Sequence, residues 1–394
     1  MTATGSPGVG QPSEARPRDP LRVARYVLPT TIVYGTGVVD QLPGLLAEAG
    51  ISHPLIVTDR GLTATPLPQR VSAVLTAAGV VHEIYAEVEP DPTIAVVDAL
   101  TRLLQAQGND GVIGLGGGSA MDAAKAAAAA ATSGLPVRAL VGPDKVPCDP
   151  LPIIAVPTTA GTGSEVTRFA VLTDVEAGAK ASLASMRIMP KFAVLDPALT
   201  LGLPPGLTAS TGMDALAHAV ESYGSVWNNP VSEGMALRAV ELVGRHLRTA
   251  VRTPGDLEAR GGMLAASCIA ELAANTTRLG LAHALAVPLG ATHHIPHGVG
   301  VAMMLGPMCA YNEEVDPARY ARLAAALDPS SQTMSGAVAS LRADVGLFSR
   351  LRDFGFSPDD HDRVVALAMR SDNVQANPRP AGPAELRDLL ERAR

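Results

Sequence analysis

Aromatic side chains are scarce in this chain, with five Phe, six Tyr and one Trp in 394 residues. Its cores must therefore be built from Ala, Val and Leu, which pack elements closely but bury less apolar area per residue than rings do. Cysteine is scarce too. Cys148, Cys268 and Cys309 are too few and too scattered for a disulfide framework or a thiolate zinc site, and they point to a reducing, cytoplasmic compartment. There is no excess of positive charge: the net charge of −7 gives no reason to expect nucleic acid or an anionic membrane as a partner. Long apolar runs are missing as well. The alanine run Ala123–Ala131, broken by Lys125, is too short to span a bilayer. Residues 1–22, rich in Pro, Gly and charge, lack the apolar segment of a secretory signal and read as a disordered leader.

What is present suits a soluble globular protein long enough for two domains, with 47% hydrophobic and 18% charged residues. Short β-branched runs recur at Thr31–Tyr34, Pro54–Thr58, Val81–Tyr85, Gly111–Leu115, Pro152–Val156, Phe169–Leu172 and Phe192–Leu195. Helical spacing separates several of them, at Gly37–Ala49, Pro66–Ala78, Ile94–Gln107 and Ala120–Ala131. That alternation predicts a parallel sheet covered on both faces, an α/β domain over residues 23–200. After Leu203-Pro204-Pro205 the β-branched runs disappear and helical spacing takes over, which predicts an all-α domain over residues 201–394. The cleft between the two is the expected place for a site.

Two glycine-rich loops follow strands of the first domain. Gly114-Leu-Gly-Gly-Gly-Ser119 runs into a helix opening with Ala120-Met-Asp122, an arrangement that lets a phosphate approach the backbone. Pro157-Thr158-Thr159-Ala-Gly-Thr162-Gly-Ser-Glu165 combines hydroxyls with flexible backbone, which suits a pyrophosphate or a ribose. Asp59, at the end of the Pro54–Thr58 strand, suits the adenosine ribose hydroxyls of NAD, whereas Arg60 directly after it could accommodate the 2′-phosphate of NADP. In the second domain Asp214 and His218 are four apart and share a helix face, and His283 and His297 lie within GLAHALAVPLGATHHIPHG. One carboxylate and three imidazoles suit a first-row divalent ion, Fe²⁺ or Zn²⁺, used as a Lewis acid.

GGGSAMDAAK at 116–125, PTTAGTGSEVT at 157–167, TGMDALAHAVES at 211–222, the His283–His297 stretch and ANPRP at 376–380 together resemble the iron-containing (group III) alcohol dehydrogenase family. The resemblance runs from about Arg25 to the C-terminus. It implies a dinucleotide-binding α/β domain plus an all-α domain, the dehydroquinate-synthase-like or iron-dependent alcohol dehydrogenase fold. The metal ligands it implies are Asp214, His218, His283 and His297. The implied cofactor contacts are Asp59, Gly117, Gly118, Ser119, Asp122, Thr158, Thr159, Thr162, Thr167 and Lys180. The activity implied is NAD-linked interconversion of a small alcohol and its carbonyl, in a homo-oligomer, a dimer.

One departure from the family pattern stands out. Where many members carry a further His beside the nicotinamide, four residues after the third ligand, this chain has Val287. His293 and His294 are therefore the candidates for proton transfer. Two alternatives share the fold: a metal-independent, maleylacetate-reductase-like enzyme, and a dehydroquinate-synthase-like lyase. The lyase reading would call for basic residues around the site. Over residues 205–300 only Arg238, Arg245, Arg248, Arg252, Arg260 and Arg278 are available.

Overall fold

The computed structural model describes residues 15–19 and 21–394. Its first part holds nine strands: β1 Thr31–Tyr34, β2 Pro54–Asp59, β3 Glu83–Val88, β4 Gly111–Gly116, β5 Gly142–Pro143, β6 Ile153–Pro157, β7 Phe169–Asp174, β8 Ala179–Ala184 and β9 Phe192–Leu195. Between them lie the helices α1 Leu42–Ala49, α2 Arg60–Thr63, α3 Leu67–Ala77, α4 Ile94–Gln107 and α5 Gly118–Ser133. Six strands form one sheet in the order β1-β9-β6-β4-β2-β3, every pair parallel. The inner strands are buried nearly throughout and mostly apolar because both faces are covered. On one face Leu55, Val57 and Val112 pack with the alanines of α5; on the other Ile56, Ile113 and Ile154 pack with Leu42, Leu46 and Leu75.

Two expectations change here. Phe169–Leu172 does not join the parallel sheet. It pairs antiparallel with β8, and with β5 forms a separate three-stranded sheet. The alternating exposure of β7, with Val171 outward and Ala170 and Leu172 inward, is that of a strand with one wet face. The third strand starts two residues later than its β-branched run suggests, since Val81 directly follows the Gly79 turn and is 68% exposed.

From Pro205 onward the structure is helical: α6 Pro205–Gly224, α7 Pro230–Arg252, α8 Leu257–Thr277, α9 Leu281–His293, α10 His297–Glu313, α11 Pro317–Leu327, α12 Met334–Asp344, α13 His361–Ala368, α14 Asn373–Ala376 and α15 Pro383–Ala393. Proline opens α6, α7, α11 and α15, where its missing N–H costs nothing. The central helix α6 is buried on nearly every side, and its Ala-rich sequence lets α7, α8 and α10 approach closely. No described helix is long and apolar enough to cross a membrane.

Most of the expected leader lies outside the described residues, but its last part is not loose. Arg16 is buried, and its guanidinium donates to the carbonyls of Val374, Gln375 and Asn377. Arg18 pairs with Asp316 at 2.8 Å. The segment is pinned because it supplies cations to carbonyls and a carboxylate at the far end of the chain, which its own composition does not reveal.

Candidate metal and dinucleotide site

In a parallel sheet the carboxyl ends of neighbouring strands line one edge. β2 ends at Asp59, β4 at Gly116 and β6 at Pro157, and these three strands are adjacent. The two glycine loops and the acidic residue therefore meet at the crevice where open α/β sheets bind ligands. Gly116 adopts φ 150, and a Cβ there would fall 2.8 Å from Ala120 Cβ and 3.1 Å from Asp59 Oδ2. A Cβ on Gly118 would meet Thr162 at 3.1 Å, and one on Gly117 would meet Thr159 at 3.4 Å. The Thr158 N–H donates to the Gly116 carbonyl at 3.0 Å and joins the two loops. No side chain caps the N-terminus of α5, so its first N–H groups face this crevice without a protein partner there.

Other residues expected at the cofactor also make contacts within the protein. Both oxygens of Asp122 are taken, one by the Ser164 hydroxyl at 2.6 Å and the other by the Val171 N–H at 2.9 Å. Asp122 thereby fastens the second loop and β7 to α5. Thr167 Oγ1 accepts from the buried Lys125 ammonium at 3.0 Å. Lys180 pairs with Asp91 and donates to Thr173. The Ser119 hydroxyl accepts from the Asp91 N–H at 3.3 Å. Asp59 caps α2 by accepting from the Leu62 N–H, and Arg60 is turned toward Glu87 and Glu89, at 2.6 and 3.0 Å.

Across from the loops, Asp214 on α6, His283 on α9 and His297 at the start of α10 present ligand atoms that all lie within 4.8 Å of one another. Asp214 Oδ1 is 3.3 Å from His283 Nε2 and 3.6 Å from His297 Nε2. Oδ1 of Asp214 and Nε2 of His283 are shielded from solvent yet hydrogen-bond to nothing. Buried polar atoms are rarely left unpaired without a reason, and a divalent cation is the partner an O/N donor set of this kind takes. The donor set fits the ion.

Burial would raise the Asp214 pKa, but His218, His297 and His283 outweigh it and hold the carboxyl well below the usual range. Burial lowers His218 to about 4, helped by the neighbouring imidazoles against Asp214. His297 is also lowered, again chiefly by burial. For His283 burial is overcome by Glu221 and Asp214, which raise it to about 10.

His218 stands slightly apart. Its ring packs on His283 with centroids 4.6 Å apart, while its Nε2 lies 3.4 Å from Glu271 Oε2 rather than within the three-residue cluster. Two carboxylates that sequence reasoning passed over support the imidazoles. Glu221 receives His283 Nδ1 and the N–H groups of Ala282 and His283, so it orients the ring and leaves Nε2 for a metal. Glu271 on α8 is buried, its Oε2 has no hydrogen-bond partner, and burial pushes its pKa up to about 8. Gly163, at φ 56, fits against it only because it lacks a side chain: a Cβ would fall 2.3 Å from Glu271 Cβ. That contact joins the second cofactor loop to the helix beside His218.

The candidate proton carriers are not drawn in. His293 Nδ1 contacts the Thr292 hydroxyl at 2.7 Å, its Nε2 is 3.4 Å from Asp360, and its ring packs on Phe356. Both nitrogens are occupied by the fold, so the geometry gives the proton-transfer role no support there. His294 is the left-handed cap of α9, at φ 54. Val287, one turn beyond His283 on the same helix, is 40% exposed.

Residues 29–197 match the family described as iron-containing alcohol dehydrogenase, and residues 208–394 match the C-terminal part of the same family. The chain belongs to the iron-containing alcohol dehydrogenase family. The probable alcohol dehydrogenase EutG of Salmonella typhimurium is 36% identical over 94% of this chain and 95% of its own length. The 1,3-propanediol dehydrogenase of Citrobacter freundii is 34% identical over 94% of this chain and 99% of its own. Among solved structures, a 1,3-propanediol oxidoreductase superposes with a TM-score of 0.91 at 33% identity, covering 95% of this chain and 100% of that one. A sulfoacetaldehyde reductase from Bifidobacterium kashiwanohense, in complex with NAD+, gives 0.88 at 32% identity over 94% and 99%. Like other members of its family, this protein is an oxidoreductase that joins a nicotinamide dinucleotide to an iron-type metal centre.

Proposed function

We propose that this alcohol dehydrogenase interconverts a small alcohol and its aldehyde or ketone, with Asp214, His218, His283 and His297 holding Fe²⁺ or Zn²⁺ and with NAD preferred over NADP. The observation that carries the reading is the convergence of buried Asp214 and His283 atoms that have no hydrogen-bond partner. When bound, the ion supplies Lewis-acid polarisation of a substrate oxygen and the nicotinamide exchanges hydride. Glu221 fixes the rotamer of His283, and Glu271 stands beside His218. Asp59 and the uncapped end of α5 orient the dinucleotide, with Gly117, Gly118, Thr159 and Thr162 shaping its bed.

NAD preference is supported by Asp59 together with the pairing of Arg60 to Glu87 and Glu89, which leaves negative charge where a 2′-phosphate would arrive. With a valine at 287, which carries no proton, and His293 held by Thr292 and Asp360, the proton is relayed by solvent. Of the six arginines of the lyase comparison, Arg238, Arg245, Arg248 and Arg252 pair with carboxylates, Arg260 bonds to Thr208 and to the carbonyls of Pro254 and Leu203, and Arg278, 3.6 Å from Asp372, lines a cavity that none of the metal donors lines. This counts against a lyase, and the unpartnered donors count against a metal-independent reductase.

The change from strands ending at Leu195 to helices starting at Pro205 supports a division into domains near residue 200. The unpaired edge of β1 supports a dimer, and the three free cysteines support a cytoplasmic enzyme.

The test is His283→Ala. The variant is expected to lose bound metal and turnover together while NAD⁺ affinity, read by calorimetry, stays within about twofold, since the loops are untouched. A variant that keeps stoichiometric metal and turnover sinks the ligand assignment.

A further inference from the structure

Outside the metal donors and the glycine loops, one cavity of about 230 Å³ is lined by Arg22, Arg168, Trp227, Asn275, Thr276 and Arg278. Three arginines lining one small space are unexpected in a chain of net charge −7. Among the described residues only one of them is within ion-pair distance of a carboxylate: Arg278 is 3.6 Å from Asp372. Arg168 makes no ion pair among the described residues, and its Nε is shielded from solvent without a hydrogen-bond partner. The Arg22 guanidinium lies 5.6 Å from the Trp227 ring centroid. Arg278 ends α8 at φ 60, a left-handed conformation that a side chain adopts at a cost.

Asn275 adds a requirement of its own. Its Nδ2 donates to the Val166 carbonyl at 2.8 Å, which fixes the amide and leaves Oδ1 as an acceptor, buried and unpaired. An acceptor among three cations suits an anion that also carries a hydroxyl proton. Hydrogen phosphate meets both demands, and so does the phosphate end of a small polyol ester; sulfate and chloride supply charge without the proton.

We propose that this cavity is a phosphate-binding site separate from the dinucleotide site, with Arg168 as its central donor, Arg22 and Arg278 flanking it, and Asn275 selecting a hydroxyl-bearing oxyanion. Inorganic hydrogen phosphate and a polyol phosphate share the group it recognises.

Trp227 is the sole tryptophan of the chain, so its emission reports directly on this cavity. Titrating the full-length protein with inorganic phosphate at constant ionic strength should change that emission saturably, with calorimetry as a second readout. Sulfate should bind at least about tenfold more weakly, and Arg168→Gln should weaken phosphate by at least about tenfold, the scale of one charged hydrogen bond. Arg278→Gln, away from the buried Nε, should weaken it in the same direction if Arg168→Gln does not fold. Tighter binding of glycerol 3-phosphate than of phosphate would identify the ester as the preferred source, and the reverse order free phosphate. No saturable response by either readout, unchanged affinity in the folded variants, or equal binding of sulfate would overturn the proposal. So would displacement of phosphate by NAD⁺.

Discussion

Glu165 shows how burial near this site keeps a carboxyl protonated. The carboxyl is buried, one oxygen has no hydrogen-bond partner, and burial raises its pKa from 4.5 to about 7 against its own N–H and Lys125. The folded protein thus keeps a proton that the unfolded chain releases. The associated stability is whole below about pH 4.5 and is lost as the pH rises toward about 7, on the order of 3 kcal/mol if the group titrates alone. Glu165→Gln should remove that slope. In urea unfolding at about pH 5 and about pH 8, the native protein should lose stability relative to the variant. Parallel behaviour would contradict the assignment.

At this scale the metal donors were the readable part, because Asp214 and His218 share a helix face and imidazoles cluster for few reasons. Glu221 was less visible: it follows Asp214 by two helical turns, which also describes a solvated position. Glu271 left a fainter sign, a single carboxylate inside the apolar run SCIAELAAN. Its meaning depends on His218 and Gly163, which only the tertiary fold brings to it. The surroundings of His293 were hidden for the same reason, since Asp360 and Phe356 come from a distant segment.

Among the elements, the junction of β4 and α5 carries the cofactor argument. Gly118 touches Thr162 across the two loops, so a branched side chain there must displace the second loop. Gly118→Val is expected to weaken NAD⁺ binding at least about tenfold, in line with the about 1–3 kcal/mol of an overpacked contact. Metal content, measured by elemental analysis, should not change. Intact NAD⁺ affinity would show that the loops do not form the cofactor bed. Most of the parallel strands were legible because strands buried on both faces read as continuous apolar runs. The β7–β8 hairpin was not, since a short strand with one wet face looks the same whether its neighbour is parallel or antiparallel. Nothing local in the sequence of Phe169–Leu172 announces that α5, through Asp122, ties it to a second sheet.

For the molecule as a whole, the cofactor loops and the metal helices are one construction. Gly163 against Glu271 and Asn275 Nδ2 on the Val166 carbonyl fasten the second loop to α8, and α8 places a carboxylate beside His218. A change in either half is therefore felt by the other, and the core of the helical half itself takes in Ala160, Val166, Ala193 and Leu195 of the first half. The most direct measurement is NADH oxidation with a panel of small aldehydes, before and after chelation, with Fe²⁺ or Zn²⁺ added back. The account predicts that chelation abolishes turnover and that one of the two ions restores it; turnover that survives removal of all bound metal would contradict it.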